Sequence, residues 1–327
     1  MEQTNTIVKE KKNLSKTQKD MIFVACLVAI PLIHYLIFYV YVNFNSILLA
    51  FQKFDPLTYR YTWCGLENFI GNPEIAGSTG LFGEFFKKIG DGGATLLGST
   101  VKNSLIYYLF HTGIGTTATL FFSYYIFKKR AGSKFFKVIL FLPSIIASIA
   151  LVLMFKYFVN EALPAIVSAL TAGEKTITGL TSQLSSTFAT IIFYGVWVGF
   201  GQGLLLYSGA MSNISDSVME AAEIDGAGEL RQFFSIVLPL IYPTLSTFMV
   251  NAIATLFASD MHLYAFFGGG AHESCWTFGY WLLKQTRSAG TEGLAQPAAI
   301  GILLTVFTIP ITFLVRWLLK KLGPTME

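Results

Sequence analysis

Six long apolar segments constrain the fold of this 327-residue chain more than any other feature. A helix needs about 20 mainly apolar residues to cross a bilayer. The segments of roughly that length are 21–43, 103–127, 135–158, 186–208, 236–258 and 296–319. Of all residues, 13% are charged, whereas soluble domains contain roughly 25%. The sequence therefore predicts an all-α integral membrane protein with six transmembrane helices.

The basic residues predict the orientation of these helices, because cytoplasmic loops are enriched in Lys and Arg. Lysines are concentrated in the N-terminal tail, the turn "KKRAGSKFFK" (128–137) follows the second segment, and a third basic cluster covers 316–321. With six crossings, all three clusters fall on one side. Both termini are therefore expected in the cytoplasm, with the chain crossing the bacterial plasma (inner) membrane several times. This distribution of the net charge of +4 indicates a membrane, with no nucleic acid as partner.

The predicted orientation divides the chain into five parts. They are a basic cytoplasmic tail (1–20), a first transmembrane helix (21–43), an extracytoplasmic loop region (44–100), a transmembrane domain of five helices (101–320) and a second cytoplasmic tail (321–327). The first helix is too long for a signal-peptide core, so we expect it to remain as an anchor. The external region is expected to form loops and short amphipathic helices.

A polar, alanine-rich element precedes the fifth apolar segment on the cytoplasmic side. From residue 220 it reads "EAAEIDGAGELRQFFSIVLPLIYP". Ser217 and Glu220 fit the capping box S-x-x-E, which predicts that a short helix begins there. Ala221 and Ala222 are expected to give this helix a thin exposed surface that another protein can approach closely.

The same element contains signals for a turn and a kinked entry into the membrane. Asp225 and Gly226 predict the end of the short helix, and Asp225 can cap the helix that follows. Pro239 and Pro243 are expected to kink the start of the fifth segment. On physical grounds two interpretations stay open: an ordinary capped loop helix, or a surface on which another protein docks.

The element resembles the EAA loop of membrane subunits of binding-protein-dependent (type I) ABC importers. The family pattern runs E-A-A, two residues, D-G-A, an aromatic residue, I-x-L-P and a later Pro, and "EAAEIDGA" begins it here. The resemblance implies the type I permease fold, with the loop at about 212–235 and a coupling helix that docks on an ATPase subunit. The residues implied to make that contact are Glu220, Ala221, Ala222, Asp225, Gly226 and Ala227.

Three further stretches resemble the sugar-type branch of this family, which includes maltose and multiple-sugar permeases. They are "GLENF" (65–69), "FLPSIIAS" (141–148) and "SDMHLYAFFGGG" (259–270). The resemblance implies a second homologous permease subunit, two ATPase subunits and an extracytoplasmic solute-binding protein as partners. It favours a carbohydrate, and within that class an oligosaccharide, while a glycerol phosphate or another polyol stays open.

No phosphate-binding loop of the type G-x-x-x-x-G-K-[ST] occurs in these residues. We therefore expect this chain to be a transport subunit rather than an enzyme, and to bind no cofactor itself. ATP and Mg²⁺ are expected in the partner ATPase.

Polar residues near the end of the fifth segment are candidates for the substrate pathway, because polar groups inside a membrane are costly. Asn251, Thr255 and Ser259 recur every four residues, so they are expected on one helix face, with Asp260 and Tyr264 continuing outward. Such a stripe suits sugar hydroxyls, or it forms hydrogen bonds between helices. The family resemblance favours the pathway for Asn251 and Thr255.

The fourth apolar segment contributes two further pathway candidates, Trp197 as a stacking ring and Gln202 as an amide. Its glycines Gly195, Gly199 and Gly203 recur every four residues, which predicts the close approach of another helix.

Two other classes of function remain as alternatives. A secondary transporter or channel for a small polar solute would need no ATPase, but it leaves the EAA-like loop unexplained. An intramembrane hydrolase is disfavoured, because no H-E-x-x-H, G-x-S-x-G or paired-aspartate motif occurs. The sequence favours free thiols at Cys64 and Cys275 over a disulfide between them.

Overall fold

The computed structural model of the chain describes residues 15–72, 80–89, 94–172, 177–290 and 292–324. Most of the predicted tail 1–20 and residues 325–327 of the second tail lie outside these ranges. The helices, in chain order, are α1 (Lys16–Leu49), α2 (Glu67–Ile70), α3 (Gly80–Phe86), α4 (residues 96–127), α5 (Ser133–Ile145), α6 (Ser148–Leu170), α7 (Leu184–Met211), α8 (Asp216–Ile224), α9 (Glu229–Leu240), α10 (Tyr242–Ala254), α11 (Leu263–Phe267), α12 (Phe278–Ser288) and α13 (Ala295–Leu322).

Within the described ranges, four helices are long and apolar enough to cross a membrane: α1, α6, α7 and α13. The pair α9 and α10 meets the same test together and is bent by 70° at Ile241. This bend lies where Pro239 and Pro243 predict a kink. Helix α4 is of similar length, and it buries Thr119 and Ser123 while it exposes Leu109 and Ile114.

Helix α1 begins at a capping box that lies before the predicted first segment. The Ser15 hydroxyl accepts a hydrogen bond from the Gln18 backbone N–H at 3.2 Å, and the Gln18 side chain accepts one from the Ser15 N–H at 3.0 Å. Throughout α1 no described residue is buried by the rest of the chain. Its last turns contact α13.

The core of the bundle joins the start of α4 to the segment before α12. The Asn103 side chain donates hydrogen bonds to the backbone carbonyls of Ser274 and Trp276, at 2.8 and 2.9 Å. The Ser104 hydroxyl accepts one from the Phe278 N–H at 3.1 Å. Because Asn103, Ser104, Trp276 and Phe278 are buried, the hydrogen bonds between them offset desolvation costs that no water would relieve.

The predicted third segment, 135–158, is not one continuous helix. Helix α5 ends at Ile145, Ile146 and Ala147 are extended, and α6 then runs to Leu170. Pro143 removes a backbone donor and β-branched isoleucines follow it, and both weaken a helix. Part of the expected external stretch after residue 158 therefore belongs to the apolar helix α6.

The region 44–100, which the sequence predicts to be external, contains β-structure that the all-α prediction missed. Strands β1 (Gln52–Asp55) and β2 (Arg60–Trp63) pair antiparallel, with Gln52 opposite Trp63. The Asp55 carboxylate accepts hydrogen bonds from the Leu57 N–H at 2.9 Å and the Thr58 hydroxyl at 2.8 Å, which closes the turn between them. A second small pair consists of β3 (Lys88–Ile89) and β4 (Ala94–Thr95).

Candidate functional site

Helix α8 is the short cytoplasmic-side helix that the sequence predicts, but it begins two residues earlier. Its N-cap is Ser215, which is extended, and Ser217 lies inside the helix. The Ser215 and Ser217 hydroxyls are 3.0 Å apart. The expected capping box between Ser217 and Glu220 is therefore wrong, because the chain already enters the helical conformation at Asp216.

The end of α8 is set by a glycine in the left-handed conformation. The Ala227 N–H donates to the Ala222 carbonyl at 2.9 Å, and the Gly226 N–H donates to the Glu223 carbonyl at 3.0 Å. This pattern is a Schellman motif, and Gly226 has the positive φ of 70° that the motif needs. Asp225 is the C-cap of α8, whereas Gly228 is the N-cap of α9, so the expected capping of the second helix by Asp225 is wrong.

Helix α8 has a buried face and an exposed face. Met219 and Ala222 are buried, whereas Glu220, Ala221 and Ile224 are exposed, Ile224 to 86%. Ala222 therefore does not belong to the thin surface expected from the sequence, because its position on the helix turns it towards the bundle. Among the other residues predicted to contact an ATPase, Asp225 and Gly226 are exposed and Ala227 is half-buried.

The buried face of α8 packs against the end of α4. Met219 belongs to an apolar cluster that also contains Leu120 and Tyr124 of α4 and Phe233 of α9. The Phe233 ring stacks on Phe121, with the ring centroids 4.9 Å apart. This apolar cluster therefore brings α8, α9 and the end of α4 together.

Two ion pairs reinforce this junction. The Lys128 ammonium, at the end of α4, lies 2.8 Å from a Glu223 carboxylate oxygen, and Arg130 pairs with Glu229. The hydrogen bond from Lys128 and its positive charge lower the pKa of the Glu223 carboxyl. Acidic residues before and after the Gly226 turn thus form ion pairs with the basic turn that follows α4.

A cavity of about 390 Å³ lies between α4, α7 and α10, within the size range of small-molecule sites. Its lining combines apolar side chains with hydroxyls, amides and one imidazole. The polar lining residues are Tyr107, Tyr108, His111, Thr112, Thr116, Thr119, Gln202, Tyr207, Asn251, Thr255 and Ser259.

Four of the predicted pathway residues line this cavity: Gln202, Asn251, Thr255 and Ser259. Asn251, Thr255 and Ser259 do not share one helix face as expected, because α10 ends at Ala254 and Ser259 lies beyond the turn that follows it. The chain nevertheless returns Ser259 to the same cavity.

The other three predicted pathway residues are not part of the cavity lining. The Trp197 ring packs on Phe155, with centroids 5.9 Å apart. The Asp260 carboxylate accepts hydrogen bonds from the His262 and Tyr264 N–H groups, at 3.3 and 3.4 Å. The Tyr264 ring lies 4.9 Å from the Arg287 guanidinium.

The α4 wall of the cavity was not singled out from the sequence. Its polar residues face the glycine stripe of α7: Tyr107 lies over Gly195, His111 over Gly199 and Thr119 over Gly203. The helix that approaches α7 closely is α4, and its polar side chains occupy the volume where side chains at the three glycine positions would lie. The signal for these residues is their own spacing, since Tyr107, His111 and Thr119 lie four and eight positions apart and so share one helix face.

The family model described as "Binding-protein-dependent transport system inner membrane component" matches residues 111–327. The chain belongs to this family. The matched region contains α8, the complete α7 and α10 walls of the cavity, and most of its α4 wall. The prediction of an ABC importer permease is therefore confirmed, and so is its placement in the inner membrane.

Members of the family with known names are similar over most of the chain. The multiple sugar-binding transport system permease protein MsmF of Streptococcus mutans is 24% identical over 278 residues, which are 85% of this chain and 89% of that protein. The sn-glycerol-3-phosphate transport system permease protein UgpA of Escherichia coli O157:H7 is 26% identical over 289 residues, or 88% and 90% of the two chains.

A solved structure shows the same fold. It is the crystal structure of a bacterial ABC transporter involved in the import of the acidic polysaccharide alginate. The TM-score is 0.72 at 16% identity, and the match covers 95% of this chain and 100% of that chain. The bundle described above therefore has the fold of a chain of that transporter.

Proposed function

We propose that this family member is one of two permease subunits of an ATP-driven importer, and that a carbohydrate passes through the cavity between α4, α7 and α10. The observation that carries the proposal is the junction of α8 with α4. Helix α8 exposes Glu220, Ala221 and Ile224, while its buried Met219 packs on the helix that supplies one wall of the cavity. A protein that moves α8 would therefore change the shape of the cavity.

The protein that moves α8 is, in this proposal, one of two ATPase subunits, and it binds the ATP and Mg²⁺. The exposed apolar Ile224 at the end of a polar helix suits a protein surface better than water. We propose the contact residues predicted from the sequence and add Ile224. Ala222 is buried against the bundle, so it would support the contact surface without touching the ATPase. A second homologous permease would complete the transport pathway and provide a partner for the uncovered helix α1.

We further propose six membrane crossings with both termini in the cytoplasm. The crossings would be α1, α4, the pair α5 and α6, α7, the pair α9 and α10, and α13. This arrangement places α8 and the basic turn after α4 on the same side, in agreement with their ion pairs.

The solute would be a carbohydrate delivered by an extracytoplasmic solute-binding protein. The amides of Gln202 and Asn251 and the hydroxyls of Thr255 and Ser259 can donate and accept hydrogen bonds, as recognition of sugar hydroxyls requires. The relative named for multiple sugars supports this class, and an oligosaccharide fits it.

Docking on α8 can be tested by Ile224→Asp in the complex assembled with its sibling permease, ATPase and binding protein. A buried interface carboxylate would cost several kcal/mol, so we expect the ATPase to be lost on purification and sugar-stimulated ATP hydrolysis to fall at least tenfold. Leu57→Asp is the control, because Leu57 is 92% exposed in the external β1–β2 turn. Retention of the ATPase by Ile224→Asp would remove the support for docking on α8.

A second pair of variants tests the geometry of α8 rather than its surface. Both Gly226 and Gly228 have open space where a Cβ atom would lie, but only Gly226 of the two has a positive φ. Gly226→Ala therefore forces a left-handed residue at a cost of about 1–2 kcal/mol, whereas Gly228→Ala fits its φ of −64°. We expect stimulated ATP hydrolysis to fall severalfold in the first variant alone.

A further inference from the structure

The charge of the transported sugar can be inferred from the lining of the cavity. Among the lining residues that the structure describes, none is Lys, Arg, Asp or Glu. The polar groups offered are amides such as Asn251 and Gln202, hydroxyls such as Thr255 and Ser259, and the His111 imidazole. Amides and hydroxyls complement neutral hydroxyl groups, whereas an unpaired anion in such a site loses its hydration without gaining a cation.

Two cations beside α11, Lys156 and Arg287, already contact other groups. Lys156 of α6 donates a hydrogen bond to the Phe266 carbonyl at 3.1 Å, and its ammonium lies 5.4 Å from the Phe267 ring centroid. Arg287 lies over the ring of Tyr264. Both cations therefore contact the external segment around α11, and neither contributes to the cavity lining.

An acidic residue lies next in the chain to Ser259, which lines the cavity. Asp260 comes directly after Ser259, and its carboxylate is held by the backbone N–H groups of His262 and Tyr264. A negative charge at this position repels an approaching anion and leaves a neutral sugar unaffected.

We propose that this cavity selects uncharged carbohydrates and rejects uronate-containing sugars and phosphorylated polyols. The inference rests on the proposed function, since it assumes that a sugar passes through this cavity. By this inference the solute of this chain differs from the anionic solutes for which the glycerol-phosphate relative and the alginate transporter are named.

The test uses the complete importer with its binding protein in proteoliposomes, and it measures internal accumulation and ATP hydrolysis. Maltotriose and raffinose serve as neutral probes, and trigalacturonate and glycerol 3-phosphate as anionic probes. We expect a neutral probe to accumulate at least tenfold faster than either anionic probe. Equal accumulation of an anionic probe would overturn the inference and leave the proposed function intact. Absence of both accumulation and stimulated hydrolysis for every probe would instead overturn the proposed function.

Two variants isolate the cavity from the binding protein, which is identical in all assays. Gln202→Arg and Asn251→Lys each add a cation to the lining, and we expect the ratio of anionic to neutral accumulation to rise at least tenfold in either. Leu57→Lys adds the same charge at an exposed external position and should leave the ratio unchanged. An unchanged ratio in both cavity variants would show that selection against anions does not occur in this cavity.

Discussion

At the scale of single residues, the close packing of α4 on α7 depends on a few glycines, whose missing side chains leave room for a neighbour. Gly199 is such a position, because a Cβ atom there would lie 2.6 Å from the Nε2 atom of His111. The imidazole can line the cavity only because α7 has no side chain opposite it. A polar wall and a close helix contact therefore depend on the same residue.

Gly199→Ala is expected to displace His111 or to separate α4 from α7. Overpacking of this kind costs about 1–3 kcal/mol, so we expect both a lower melting temperature and a severalfold loss of sugar uptake. Gly209→Ala on the same helix is the matched control, since nothing lies within 4 Å of its Cβ position. Normal uptake by Gly199→Ala would show that the His111 position does not matter for transport.

At the scale of elements, α4 is the helix that connects the two parts of the candidate site. Its middle lines the cavity, and its end contacts α8 through Lys128 and α9 through Tyr124. The contact combines an apolar cluster, which provides most of the packing, with ion pairs, which fix the relative position of α4 and α8. Exposed ion pairs contribute little to stability, about 0–1 kcal/mol, so their expected role is to position α8.

Reversing the charges of the Lys128–Glu223 pair tests this role. Lys128→Glu and Glu223→Lys each replace the attraction across this 2.8 Å contact with repulsion between like charges. We expect severalfold weaker stimulation of ATP hydrolysis with little change in melting temperature. The double reversal should restore stimulation. The external pair Lys87–Glu84, with its atoms 4.0 Å apart, is the control for charge reversal as such. Failure of the double variant to recover would argue against positioning by this pair.

The same ion pair has a defined pH dependence. Because the folded-state pKa of Glu223 is lowered below its ordinary value of 4.5, the contribution of the pair is fully present above that value. It is lost as the pH falls through the lowered value. Assays of coupling near neutral pH therefore measure the intact pair.

At the scale of the whole molecule, the proposed six crossings place the external β1–β2 turn and α8 on opposite sides of the membrane. Leu57 and Ile224 report on these two places, since they are 92% and 86% exposed. In a background with Cys26, Cys64 and Cys275 replaced by Ser, we expect Leu57→Cys to react with an impermeant maleimide from outside. Ile224→Cys should react only after the membrane is permeabilised. Reaction of both from outside would contradict the six-crossing arrangement.

Much of this architecture follows from local sequence alone. The apolar segments predict helices because a bilayer excludes unpaired backbone groups, and this predicted α1, α7 and α13. The prediction of one continuous third helix was wrong, because the break at Ile146 and Ala147 is a local backbone effect inside an apolar segment. The β1–β2 hairpin was also missed, since its pairing joins residues five to eleven positions apart, from Asp55 with Arg60 to Gln52 with Trp63, through a polar turn.

The sequence by itself determined that the chain is a membrane protein and where along it the EAA-like element lies, and it predicts which side the basic turns face. These properties depend on composition and on short motifs, which act over a few residues. Only the tertiary structure decided that Ala222 is buried and that α4 supplies a wall of the cavity. It alone also decided that Lys128 pairs with Glu223, which lies 95 residues further along the chain. The physical reason is that the face a helix buries is chosen by its neighbours, and those neighbours are set by packing between segments distant in the chain.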